Sequence, residues 1–247
     1  MPKATEQFHT AQNNSRLRNY NFYEHLFLGE HYDGFSDKFS HFQKDYENMV
    51  YIAVNFAGML SKLSADLLFQ EFPQIKLGEG GNNEWLETVI RESKLGSQMY
   101  ESAMQNSYRG DAVFRIRTEN MGDTEKQRMV IEDIDPMLYF PVLDEGNVRK
   151  PPKEIHLAWK FERGTGDKKQ AYAFFEIHTA GLVSYKVYSL DSHDKITGEV
   201  ALATFFPDMV PEVETNVDEL LVFHVPNYRI GTRHFGISDY KDLLDLF

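Results

Sequence analysis

The residues whose types and spacing could do chemistry fall into a few short clusters. Two glycine-rich stretches invite a phosphate. Leu77-Gly78-Glu79-Gly80-Gly81 sets a carboxylate among its glycines, where it repels an anion. Gly164-Thr165-Gly166-Asp167-Lys168-Lys169 is closer in composition, but it lies between strand-like segments rather than ahead of a helix. Backbone N–H groups converge on a phosphate only in the strand–loop–helix setting, so this stretch reads as a solvated hairpin loop. Nine histidines invite a metal, yet His25, His31 and His41 lack the i, i+4 spacing of a helical zinc pair, and the chain has no cysteine. The densest ligand cluster, Asp191-Ser192-His193-Asp194, matches no calcium-loop template and reads as a turn whose side chains cap backbone groups. His178 and His224 stand in apolar strand-like runs, the setting of hydrogen-bonded core histidines.

Acid–base work would need paired carboxylates such as Glu132, Asp133 and Asp135, but a run of this kind before Pro136 is ordinarily a strand end entering a turn. No serine sits in a Gly-x-Ser-x-Gly elbow, and Ser238 of Gly236-Ile237-Ser238-Asp239 stands where a helix cap is expected. Arg115 and Arg117 share one strand face just after Tyr108 and Arg109. Such a pair could touch nucleic acid, but it more commonly forms a solvated or salt-bridging face. These readings leave no catalytic residue, cofactor or metal site, and the expectation is a protein that is not an enzyme.

The net charge of −12, from 38 acidic against 26 basic residues, opposes the phosphate attraction on which sequence-reading DNA binders depend. The absence of cysteine removes disulfides and thiolate chemistry. The polar start of the chain has no apolar core of a signal peptide, and no run approaches the ~20 apolar residues of a membrane span. With 42% hydrophobic and 14% aromatic residues the chain carries enough apolar surface to fold.

The elements that must position these residues follow from periodicity. A polar, aromatic start with breakers at Asn13-Asn14-Ser15 and Asp33-Gly34 predicts a loosely packed arm with short helices. Apolar residues from Phe42 through Tyr46, Met49, Val50, Ala53, Phe56, Ala57, Leu60, Leu63 and Leu67 to Leu68 predict a long helix, buried along this stripe and ended by Phe72-Pro73. A second helical region opens after the caps Asn82-Asn83, resumes beyond Gly96 and closes at Gly110. The period then changes to two. It predicts a hairpin from Ala112 to Ile131 with a turn at Met121-Gly122-Asp123, then strands at 155–161, 171–178, 182–190 and 220–225 in a meander. Ser238 is expected to cap a final helix with Asp239 and Asp242 in its first turn. The fold class is α+β, long helices followed by an antiparallel β-meander.

The order of the pieces resembles a known family. Tyr51-Ile52-Ala53-Val54-Asn55-Phe56, running on to Phe72-Pro73, looks like the first long helix of siphophage portal proteins. Ser107-Tyr108-Arg109-Gly110-Asp111-Ala112-Val113 resembles the entry to the family's hairpin. Leu221 to Asn227, then Phe235-Gly236-Ile237-Ser238-Asp239-Tyr240, is similar to the strand, loop and turn that lead into the portal stem. The signature positions are Asn55, Pro73, Gly110, Asp111, Pro226, Asn227, Gly236, Ser238 and Asp239.

The resemblance implies an N-terminal arm over residues 1–40, an α+β wing over 41–236, and the start of a stem helix over 237–247. Stem, clip and crown follow in such proteins, so Phe247 would interrupt that helix. It further implies a ring of usually twelve subunits at one capsid vertex of the virion. The partners would be the large terminase subunit, scaffold and major capsid protein, and head-completion proteins. Double-stranded DNA would pass through the channel without sequence readout, and assembly would take place in the host cytoplasm. Two other classes remain open on the residues: an α+β enzyme, whose mark would be a deep pocket with convergent titrating groups, and a non-portal adaptor module lacking a ring surface.

Overall fold

The computed structural model describes residues 14–31, 54–120, 127–166 and 169–244. His41, the stretch from Phe42 to Ala53, the Met121-Gly122-Asp123 turn and Phe247 lie outside them.

Asn14 opens the first helix, α1 (Ser15–Leu28), by accepting from the Arg16 N–H at 3.0 Å. Gly29 closes it in the left-handed conformation (φ 81°). The expected loose packing is corrected here. Leu17 and Tyr20 are buried against the larger sheet, and Leu26 is buried among the other helices, so α1 joins two parts of the core.

The next helix, α2 (Phe56–Phe69), is capped by Asn55, whose Oδ1 accepts from Gly58 N–H at 2.7 Å while its Nδ2 donates to Phe27 O at 2.9 Å. One side chain thus starts α2 and ties it to the end of α1. The expected helix from Phe42 is corrected at its start, because residues 54 and 55 are not helical, and it ends at Phe69, before the expected Phe72-Pro73 stop. Its buried face also differs from expectation. Ala57 of the expected stripe is buried and Leu60 is partly so, but Gly58, Ser61 and Ala65 complete the inward face, whereas Phe56, Met59, Leu63, Leu67 and Leu68 are each more than half exposed. Close approach decides this: a Cβ at position 58 would lie 2.7 Å from Phe27 O, and Ser61 Oγ reaches Ser107 Oγ at 3.1 Å. Large side chains do not fit between helices at that spacing.

Two further helices follow, α3 (Asn83–Glu92), capped by Asn82, and α4 (Leu95–Arg109), ended at Gly110. The strands divide into two antiparallel sheets. β1 (Asp111–Asn120) lies between β2 (Gln127–Ile134) and the late strand β9 (Val222–Pro226). β3 (Tyr139–Val142), β4 (Glu154–Arg163), β5 (Gln170–Thr179), β6 (Leu182–Leu190) and β7 (Ile196–Val200) run as a meander, and β8 (Glu212–Glu214) pairs with the start of β6. The architecture is α+β with an antiparallel meander. β3, β7 and β8 are additions to the expected strands; β3 contains Pro141 and the other two are short.

The outer edge of β2 is closed by side chains of α3 and α4. Ser93 Oγ accepts from Ile131 N–H at 3.0 Å, and Gln98 donates to Ile131 O at 2.9 Å and accepts from Asp133 N–H. An edge strand so covered offers no ladder to another chain. The two sheets meet through Val113, Tyr139, Ile155, Leu157 and Val222. The expected helix after Ser238 is a series of turns through residue 244: Ser238 Oγ accepts from Tyr240 N–H, but Lys241 N–H and Leu243 N–H bond carbonyls only three residues back. That pattern is tighter than an α-helix. No helix among the described residues is long and apolar enough to cross a membrane.

If the small residues set the α2 interface, Ala65→Leu should destabilise the fold by about 1–3 kcal/mol through overpacking. Leu67→Ser should stay within about 0.5 kcal/mol of the parent. Urea unfolding of both variants checks this, and the reverse ranking would restore the stripe expected from periodicity.

Candidate functional site

The last carbonyls of any α-helix lack intrahelical partners. In α4 they are met by a segment distant in sequence. Ser107 O accepts from Asp239 N–H at 2.9 Å and from Ser238 Oγ at 3.4 Å, and Gly110 O accepts from Asn227 N–H at 2.8 Å. Gly110 adopts φ 90°, and a Cβ there would stand 2.6 Å from both Ile237 C and Ser238 N. A Cβ on Gly236 would fall 2.0 Å from Gly110 O. Two backbones therefore touch where only glycine permits it. Asn227 Nδ2 crosses the junction to Ile237 O (3.2 Å) and Asp239 Oδ1 (2.7 Å).

Asp111 follows directly. Its carboxylate is buried at 1% exposure and accepts from Tyr20 Oη, from His224 Nε2 at 2.6 Å and from Gly236 N–H at 2.8 Å. A buried carboxylate is tolerated when its lone pairs are engaged in this way. Burial, then the nearby Asp111 charge, pushes the Tyr20 phenol well above its ordinary value, so Tyr20 remains a donor. His224 stacks on Tyr139 (5.0 Å between ring centres) and on His234 (4.7 Å), and His234 Nε2 lies 3.1 Å from the Tyr139 hydroxyl. Burial and the neighbouring His224 lower His234 to about 4, which keeps it neutral near pH 7.

Beyond the turn, Tyr240 is fully buried and its hydroxyl donates to Ala57 O at 2.6 Å and lies 2.7 Å from Ser61 Oγ. Of the nine signature positions, Gly110, Asp111, Pro226, Asn227, Gly236, Ser238 and Asp239 thus meet in one knot, with Pro226 opposite Asp111 in the β1–β9 register. Asn55 stands at the start of α2, the helix that Tyr240 reaches. Pro73 is exposed and lies outside the knot. Ser107 and Tyr240 stand in the quoted stretches but outside the signature positions, and Tyr20, Tyr139 and His234 belong to the knot without having been singled out, because no local spacing links them to Asp111 or Gly110.

The other clusters are held in internal pairs. Arg115 binds Glu132 and Glu176, Arg117 binds Glu132 and Glu119, and Arg128 binds Glu119, so the arginine face is a salt-bridged ladder. Against its burial, hydrogen bonds from Arg117 and Arg115 hold Glu132 down at about 2. Asp135 pairs with buried Arg109 and caps Met137 N–H at 2.7 Å. Asp133 separates from both. Burial, and then the charges of Glu101 and Asp135, outweigh a hydrogen bond from Ser102 and raise it to about 7. Asp191 Oδ1 accepts from His193 N–H (2.8 Å) and Lys195 N–H (2.9 Å), and Asp194 pairs with Lys160 at 2.6 Å, which is turn chemistry. His178 is buried on Glu176 at 2.7 Å. The chemistry of the arrangement is mechanical: it locks three chain segments and holds buried charge neutral.

No protein-family model matches the chain, and no curated protein matches its sequence.

Gly236→Ala should destabilise the fold by about 3 kcal/mol or more, since the blocking atom is backbone. Thermal melting beside a Gly78→Ala control, whose backbone is not left-handed and whose added Cβ meets nothing within 4 Å, measures the contact rather than the glycine itself. Asp133→Asn should raise the melting temperature at pH 8. Because the folded value (about 7) lies above the unfolded one, ionisation above pH 7 opposes folding. The gain should therefore shrink as pH falls from about 7 towards about 4. Melting across that range gives the sign; a gain that grows with acidity is the contrary result.

Proposed function

We propose that this chain is the wing of a tailed-bacteriophage portal protein, a structural subunit of the ring at the capsid vertex through which viral DNA is packaged and ejected. The observation that carries the reading is the knot. Seven positions chosen for their likeness to portals, at 110–111 on one side and within 226–239 on the other, meet at one point, which in this reading is where the chain would leave the wing. A ring subunit that bears load needs the segment running from its wing fixed in direction. Two backbones in contact and a buried carboxylate with three donors supply such a fixed point.

The charge distribution supports the same reading. The arginines of β1 and β2 are matched by glutamates, and the chain carries a formal charge of −12, which suits a wall past which DNA of any sequence moves without being held. The role is structural, with no catalytic residue and no cofactor. The partners proposed are further copies of the chain, the large terminase subunit, scaffold and major capsid protein, and head-completion proteins, with double-stranded DNA in the channel.

Electron microscopy and sedimentation of the complete gene product test the reading. Closed rings, usually of twelve subunits, are expected, and a uniform monomer at micromolar concentration would overturn it.

A further inference from the structure

Beside the knot, a cavity of about 460 Å³ opens between the start of α1 and residues 233–241. Its wall gathers Arg16, Arg109, Arg233 and Lys241, in a chain whose acidic residues outnumber its basic ones by 38 to 26. Among the described residues, no carboxylate lies within ion-pair distance of Arg16, Arg233 or Lys241. Arg16 is half-buried, donates to two neutral carbonyls, Pro136 O and Tyr139 O, each at 2.8 Å, and lies 4.5 Å over the Phe235 ring. Its charge is held in place without being cancelled.

Arg109, 4% exposed, is neutralised by Glu24 and Asp135, but its buried Nε has no hydrogen-bond partner among the described residues. A buried donor of this kind is costly unless something accepts from it. Asp111 also borders the cavity, yet both its oxygens are already engaged. The first residue of α1, Ser15, lines the opening, so the positive end of that helix faces the space as well. Positive charge without carboxylate partners and a helix start on one concave wall match a compact multivalent oxyanion.

We propose that this cavity is a phosphate-binding site, with Arg16, Arg233 and Lys241 carrying the charge and the start of α1 adding its positive end. The site is independent of the portal reading and stands whether or not that reading does. The phosphate can belong to a small phosphate ester or to a nucleic-acid backbone.

Calorimetric titration of the protein with inorganic phosphate, pyrophosphate and a short DNA duplex tests it. Pyrophosphate is expected to bind saturably and more weakly as KCl rises. The double variant Arg233→Glu with Lys241→Glu changes exposed, unpaired side chains and should leave the melting temperature without ligand unchanged. It should weaken pyrophosphate binding by more than about tenfold. Displacement of pyrophosphate by the duplex would assign the site to a nucleic-acid backbone; retention would assign it to a small phosphate ester, and both outcomes sustain the proposal. Absence of saturable binding by all three probes, or binding that survives the double variant, overturns it.

Discussion

The contact between the Gly236 backbone and the Gly110 carbonyl constrains everything around it. It brings the end of α4, the end of β9 and residues 236–239 to one point, and only residues without a Cβ allow the approach. From that point Asp111 is placed to receive Tyr20 from α1, His224 from β9 and the Gly236 N–H. Tyr240 is placed to reach α2. Three helices and the smaller sheet are therefore tied by one junction of backbone and buried polar groups rather than by apolar packing alone. Such junctions specify one arrangement because each donor and acceptor has a single partner within reach.

The molecule also holds its charge in a characteristic way. Three arginines of the small sheet are matched by glutamates of the same sheet and of β5, so the ladder joins the two sheets while presenting little net field. Three further cations without a carboxylate partner, Arg16, Arg233 and Lys241, line the cavity beside the knot. A chain that is acidic as a whole therefore carries a local positive site, and the net charge alone hides it. Whole-chain charge governs long-range attraction, whereas a concave wall acts at contact distance.

Much of the fold was legible in the order of residues. The caps at Asn82 and Gly110, the change of period after Gly110, and the strands from 154 to 190 all express local rules, since capping and alternation act between neighbours. The α2 stripe was misleading for the same reason. Periodicity reports where large apolar residues lie on a helix, but which face turns inward depends on how near the neighbouring helix comes. Ala57, Ser61 and Ala65 win because α1 and α4 pack too closely for leucine.

The sequence by itself determined the α+β class, most element boundaries and the emptiness of the enzyme templates, all of which depend on residues within a few positions of one another. It also marked Gly110, Asp111, Asn227 and Gly236 as notable, through their likeness to a family pattern. Tertiary structure alone decided that these residues touch, that Arg115 and Arg117 are matched by Glu132, and that Arg16, Arg233 and Lys241 share one wall. The glutamate pairing spans 15–17 residues across the β1–β2 hairpin, whereas the knot and the cavity wall depend on segments more than a hundred residues apart arriving at the same place. No local rule carries that information, because the partner of each buried polar group is set by the fold as a whole.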